Sequence, residues 1–198
     1  MSVPDITVLM TVRNGEPHLN EAVESILNQS YEQFRLLILD NASTDNSREE
    51  IKAFNDSRID LIELSKDIGQ TAALNRGLGM IDTPWVARMD ADDVSLPKRL
   101  ELQMDYLAKH SDVALLGTAV TWIDGQGEVI RKSSSVTDDL DIRWGLLMGI
   151  GGVAHSSAIF STTTAKSVGG YPPKYKFAQD FALWNLLARG NRVGNLSS

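Results

Sequence analysis

Asp90-Ala91-Asp92-Asp93 puts three carboxylates within four residues, directly after the apolar run Pro84-Trp85-Val86-Ala87-Arg88-Met89. Like charges at this spacing repel and raise one another's pKa, so the cluster calls for a divalent metal, a basic neighbour or a hydrogen-bonded turn beside it. Carboxylate oxygens are the ligands that Mg2+ and Mn2+ favour. The chain has no cysteine, which excludes disulfide frameworks, thiolate zinc sites and cysteine nucleophiles and leaves oxygen-ligand chemistry.

Other polar segments follow apolar runs in the same way. Ile6 to Val12 reads as a buried first strand that stops at the turn Arg13-Asn14-Gly15. Leu19, Ala22, Val23, Ile26 and Leu27 recur at helical spacing after Pro17, and Leu36 to Leu39 is a second buried strand ending at Asp40. Asn41-Ala42-Ser43-Thr44-Asp45 supplies N-caps for a helix through Phe54. Ile59 to Leu64, a helix over Gln70 to Ile81, and Trp85 to Met89 continue the alternation. This pattern predicts an α/β fold with a mostly parallel sheet and helices on both faces. Ligands of such sheets gather beyond the carboxyl ends of the strands, where Arg13, Asp40, Lys66-Asp67 and the acidic cluster all fall.

The second half has another character. A helix spans Pro97 to His110, and Val113 to Trp122 and Val129 to Lys132 flank a hairpin-like turn, Asp124 to Gly127, as a mixed sheet edge. Asp138 to Met148 and Ala178 to Arg189 read as helices, with Gly149 to Gly152 a loop. Trp122, Trp144 and Trp184 are expected to pack in the core.

At 198 residues one core and one domain are expected. Acidic residues outnumber basic ones 26 to 19, which argues against a nucleic-acid binder working through a basic surface. Met1 to Asp5 has no signal-like composition, and the greasiest stretch, Val113 to Ile123, is too short to span a bilayer, so no transmembrane segment is expected. The expected place is the cytoplasm, at most peripheral at the inner face of the membrane. The chain lacks Gly-x-Gly-x-x-Gly after its first strand and has no P-loop, and its Asp-x-Asp follows the fourth strand rather than the first. Dinucleotide oxidoreductases, P-loop enzymes and aspartyl phosphatases are thereby disfavoured.

Five segments in order carry a resemblance: Val8 to Asn14; Leu39 to Asp45; Asp67-Ile68-Gly69-Gln70 through Gly77; Asp90 to Asp93 with Pro97 to Leu100; and Gly169-Gly170-Tyr171 with Gln179-Asp180-Phe181-Ala182-Leu183-Trp184. The chain resembles the inverting, nucleotide-sugar-dependent glycosyltransferases of family two, whose fold is called GT-A. The resemblance implies a nucleoside diphosphate sugar donor, more often uridine-linked, a hydroxyl acceptor on a glycan or lipid-linked sugar, and Mn2+ or Mg2+ as cofactor. It implies a nucleotide-binding half over about 1–110 and an acceptor-side half over about 111–198.

By the same resemblance Thr11, Arg13, Asp40 and Asn41 line the base and ribose pocket, where Arg13 replaces a common aromatic. Asp67 and Gly69 approach the nucleotide, with Asp67 in place of the usual Asn. Asp90 and Ala91 lie near the ribose, Asp92 is the direct metal ligand with Asp90 in its shell, and Asp93 supports them. Asp180 is the general base, preceded by Gln179 where Glu is usual, and His155 is a second-shell or metal contact. Arg76 either tempers the acidic crevice or is solvated. Relatives commonly continue past the point where Asn195-Leu196-Ser197-Ser198 ends this chain, so a nucleotide-sugar-binding module without turnover of its own is the alternative.

Overall fold

The computed structural model describes residues 5–133, 135–175 and 177–197, so the reading of the first four residues lies outside it. Its core is a seven-stranded sheet. Strand β1 (Ile6–Val12) pairs in parallel with β2 (Phe34–Asp40) on one side and with β4 (Trp85–Asp90) on the other, and β2 pairs with β3 (Ile59–Glu63). The registers bring Val12 opposite Asp40 and Thr11 opposite Asp90, so the polar strand ends lie side by side.

Both faces of this sheet are buried, and the period of two divides β1 between them. Ile6, Val8 and Met10 pack with Leu19, Val23 and Ile26 of α1 (Leu19–Leu27), Ile51 of α2 (Ser47–Ala53) and Leu100 and Leu107 of α4 (Arg99–Leu107). Leu9 faces the other way, toward Leu74 and Leu78 of α3 (Gln70–Met80). On that face lie also Ile142 and Leu146 of α5 (Asp139–Met148), Ala165 of α6 (Thr162–Ser167), and Leu183, Trp184 and Leu187 of α7 (Gln179–Leu187). Gly77 is demanded by space: a Cβ there would lie 2.4 Å from a Leu9 methyl and 2.8 Å from one of Leu39.

The second half departs from the expected hairpin edge. Strand β5 (Val113–Thr118) joins the main sheet, while β6 (Thr121–Ile123) and β7 (Val129–Lys132) form a separate two-stranded sheet, exposed throughout. The expected turn between them is present, with the Asp124 carboxylate accepting from the N–H groups of Gln126 and Glu128. Four elements escaped the sequence reading: a one-turn helix (His155–Ser157), β8 (Ile159–Ser161), α6, and β9 (Arg192–Leu196). Strand β8 runs antiparallel between β4 and β5, giving the order β3-β2-β1-β4-β8-β5-β9. At three residues it is too short for periodicity to declare it. Of the tryptophans expected in the core, Trp184 is fully buried, but Trp122 and Trp144 are exposed, 144 on the outer face of α5. No described helix is long and apolar enough to cross a membrane.

Candidate active site

A cleft of about 570 Å³ opens at the carboxyl ends of β1, β2 and β4. Thr11, Arg13, Asn41, Asp90, Ala91 and Asp92, all expected there, line it. So do Asn14, Glu16, His18 and Gln70, which the sequence reading did not single out.

The loops that form the cleft wall are knitted by side-chain to backbone bonds. Asn14, at φ +56°, donates its N–H to Ser43 Oγ and accepts from the Thr44 N–H, and Gly15 N–H donates to Ser47 Oγ. Asparagine is among the few non-glycine residues that take this left-handed conformation readily. Asn41 clamps the next loop: its Nδ2 donates to Asp67 at 2.7 Å and its Oδ1 accepts from Ile68 N–H at 3.0 Å. Asp67 also accepts from Gly69 N–H at 2.8 Å and pairs with Arg13 at 2.6 Å. The Gly69 N–H, with Asn41 and Arg13, outweighs partial desolvation and lowers the Asp67 pKa. Gly69 has φ +80° and open space around its Cα, so backbone conformation, not crowding, calls for glycine before α3.

Asp40, expected on the pocket wall, is not among the residues that line the cleft. It is fully buried, accepting from Ser43 N–H and from Arg48 Nε, and Arg48 donates in turn to Leu64 O. Such partners satisfy the hydrogen-bonding capacity of a carboxylate that has no exposure. Its task is to fasten the turn after β2.

The acidic cluster divides into unlike members. Asp90 is three-quarters buried at its side chain and bonded to Arg88 and, at 2.7 Å, to Ser156 Oγ, with His155 Nδ1 3.6 Å away. Burial pushes its carboxyl up, but Arg88, His155 and Ser156 prevail and hold it well below the usual carboxylate range. Asp92 and Asp93 are exposed in the following turn, and only Asp92 of the two lines the cleft. Burial and the charges of Asp90 and Asp92 raise the pKa of Asp93, against a lowering contribution from Ser156. Of the three remedies open to the cluster at the outset, Asp90 uses the basic neighbour. That neighbour was legible: Arg88 and Asp90 stand two apart on one strand, and so share a face.

His155 lies in a one-turn helix, His155–Ser157, with its side chain mostly buried. Its Nε2 accepts from Arg88 Nε at 2.9 Å and lies 3.2 Å from the Tyr171 hydroxyl. Its Nδ1 lies 3.4 Å from Arg88 Nη2, so both ring nitrogens face partners within the protein, and the residue, expected as a second-shell or metal contact, is off the cleft lining. Burial and Arg88 lower the His155 pKa, and so favour the neutral ring, against Asp90 and Asp180.

Asp180 is half-buried in the first turn of α7, close enough for its charge to act on both His155 and Tyr171. Asp180 stands at the positive end of the α7 dipole. Gln179 beside it is buried and donates to Gln70 Oε1 at 3.2 Å, which ties the start of α7 to the cleft lining. Arg76, on α3, is exposed.

The cleft at the strand ends includes the acidic turn after β4, whereas Asp67, Gly69 and Asp180 lie off its lining; comparison with known proteins gives the chain a family. The family model described as "Glycosyl transferase family 2" matches residues 7–163. This chain belongs to that family. It is 35% identical over 136 residues to an uncharacterised glycosyltransferase of Methanocaldococcus jannaschii, covering 67% of this chain and 47% of the relative. It is 24% identical over 195 residues to the Escherichia coli UDP-Glc:alpha-D-GlcNAc-diphosphoundecaprenol beta-1,3-glucosyltransferase WfgD, covering 97% of this chain and 73% of that protein. The crystal structure of S. aureus TarS 1-349 in complex with UDP superposes with a TM-score of 0.81 at 20% identity, over 98% of this chain and 58% of that one. The fold is therefore GT-A, and the chain spans about half the length of the first of these relatives.

The chemistry of the acidic turn fits a divalent ion of the Mg2+ or Mn2+ kind. Such ions take one or two carboxylates and complete their shell with substrate phosphates and water. Asp92 offers one unengaged carboxylate on the cleft lining. No three His, Asp or Glu side chains converge into a metal cage among the described residues, so an ion held by Asp92 would draw its remaining ligands from substrate and water.

Proposed function

We propose that this chain is a single glycosyltransferase domain, with its nucleotide-binding half over about 1–110 and its acceptor-side half over about 111–198. In this reading it transfers a sugar with inversion from a nucleoside diphosphate sugar, uridine-linked, to a hydroxyl on a glycan or lipid-linked sugar, working in the cytoplasm at the inner face of the membrane. Two likenesses support the donor and acceptor classes: the shared fold with a protein crystallised with UDP, and the similarity to WfgD, named for UDP-Glc and a diphosphoundecaprenol acceptor.

One observation carries the assignment of an enzyme rather than a binding module. Asp180 opens α7 beside His155, and His155 stands against Asp90 at the cleft wall. Donor binding alone has no use for a carboxylate there. In the proposed step the Asp180 carboxylate accepts the acceptor's hydroxyl proton as that oxygen attacks the anomeric carbon. The bond to the diphosphate breaks on the opposite face, and the diphosphate leaves with the electron pair. Arg13 lies flat on the base or reaches a phosphate, and Thr11 and Asn41 border the base and ribose. Asp92 holds the divalent ion, which when bound offsets charge developing on the leaving diphosphate. Asp67 and Gly69 shape the loop that closes over the nucleotide.

Asp180→Asn tests the assignment. Donor affinity by calorimetry stays within about twofold of the parent, while transfer of labelled sugar falls by roughly 10²–10⁴, the usual contribution of a general base. Equal loss of both makes Asp180 a structural residue.

A further inference from the structure

Arg88 has no part in the transfer scheme, yet it is the second-largest fully buried side chain of the described residues. A buried guanidinium is tolerated only when its donors are matched. Here Nε donates to His155 Nε2, Nη1 to Leu9 O and Met89 O, and Nη2 to Asp90 Oδ1. The acceptors come from β1, from β4 itself, and from the short helix at His155, so the fork is fixed from three sides. Asp90 Oδ1 is thereby committed to Arg88, and its Oδ2 to Ser156 at 2.7 Å. Asp92, two residues on, has no such partner among the described residues and lines the cleft, whereas Asp93 is off the cleft lining.

We infer that Arg88 is a positioning residue that withdraws Asp90 from cation binding and leaves Asp92 as the one carboxylate of the cluster that meets a donor-bound Mg2+ or Mn2+. The inference rests on the nucleotide-sugar reading above. Its consequence is electrostatic: a cluster written as three negative charges presents a single free carboxylate to the ion, because Asp90 is already neutralised from behind. An arginine is needed for this, since the ammonium of lysine is a compact charge that cannot span His155, two carbonyls and a carboxylate in one plane.

Calorimetry of UDP with and without Mn2+ tests it, with thermal melting and circular dichroism as controls for folding. In the parent protein Mn2+ strengthens UDP binding at least tenfold. Asp92→Asn, a change to an exposed side chain, abolishes that enhancement while the melting temperature stays as it was and binding of UDP without metal does not weaken, since a negative charge facing the diphosphate is gone. Retention of the Mn2+ effect in Asp92→Asn within threefold of the parent overturns the inference, because Asp90 then holds the ion unaided. The double variant Arg88→Gln/Asp92→Asn, where it folds, regains at least threefold of the Mn2+ enhancement, since Asp90 is released; no regain in a folded double variant makes Arg88 a core residue only. Where the double variant does not fold, the single Asp92→Asn measurement decides. A parent protein that binds UDP with no help from Mn2+ also overturns the inference. One that binds no nucleoside diphosphate at all removes the donor reading itself, which separates the two failures.

Discussion

The donor side and the far side of this molecule are built differently. At the ends of β1, β2 and β4, buried Asp40, clamped Asn41 and the Asn14 turn join three loops through side-chain to backbone bonds. Across the chain, β6 and β7 are exposed along their whole length, and α5 shows Leu140, Trp144 and Leu147 to solvent at helical spacing while Ile142 and Leu146 are buried. A preorganised wall suits a ligand that is always the same, a nucleotide. A surface with little internal fastening tolerates change, as the acceptor side of the proposed reading requires.

This contrast has a thermodynamic form that substitutions can break. Asp40→Ala carries the largest expected stability cost, roughly 2–3 kcal/mol by urea unfolding, the low end for a broken buried pair because Arg48 is partly exposed and has Glu63 within 3.9 Å. A cost under about 0.5 kcal/mol removes Asp40 as the fastener of the wall. Gly69→Ala comes next, at about 1–2 kcal/mol, since φ +80° strains any residue with a Cβ, and UDP affinity falls with it. Unchanged affinity detaches that loop from the nucleotide. Trp144→Gln on the outer face of α5 has the smallest effect, within about 0.5 kcal/mol by thermal melting and with UDP affinity unchanged. A larger destabilisation shows that α5 is braced through that face after all.

Much of the donor side was readable because each of its strands is long, apolar and ended by a polar turn. Thr11, Arg13, Asn41, Asp90, Ala91 and Asp92 were all expected at the cleft and line it. Strand alternation separates Asp40 from Asn41: the two are neighbours, and only Asn41 lines the cleft. Arg88 was read as part of an apolar run, since a buried arginine looks like an interruption until its i+2 carboxylate is noticed. In the second half, β8 and β9 are held by pairing with distant strands rather than by any pattern of their own, so local periodicity could not declare them. The surroundings of His155 were not legible, because its partners, Arg88 and Tyr171, lie 67 and 16 residues away in sequence.

The central claim is that the cleft at the ends of β1, β2 and β4 binds a nucleoside diphosphate with help from a divalent ion. Calorimetry of the parent protein against UDP, GDP, ADP and CDP, each with and without Mn2+, tests it most directly. The account predicts that UDP binds, that it binds more tightly than the other three, and that Mn2+ strengthens it. Absence of binding by every nucleotide in both conditions contradicts the account.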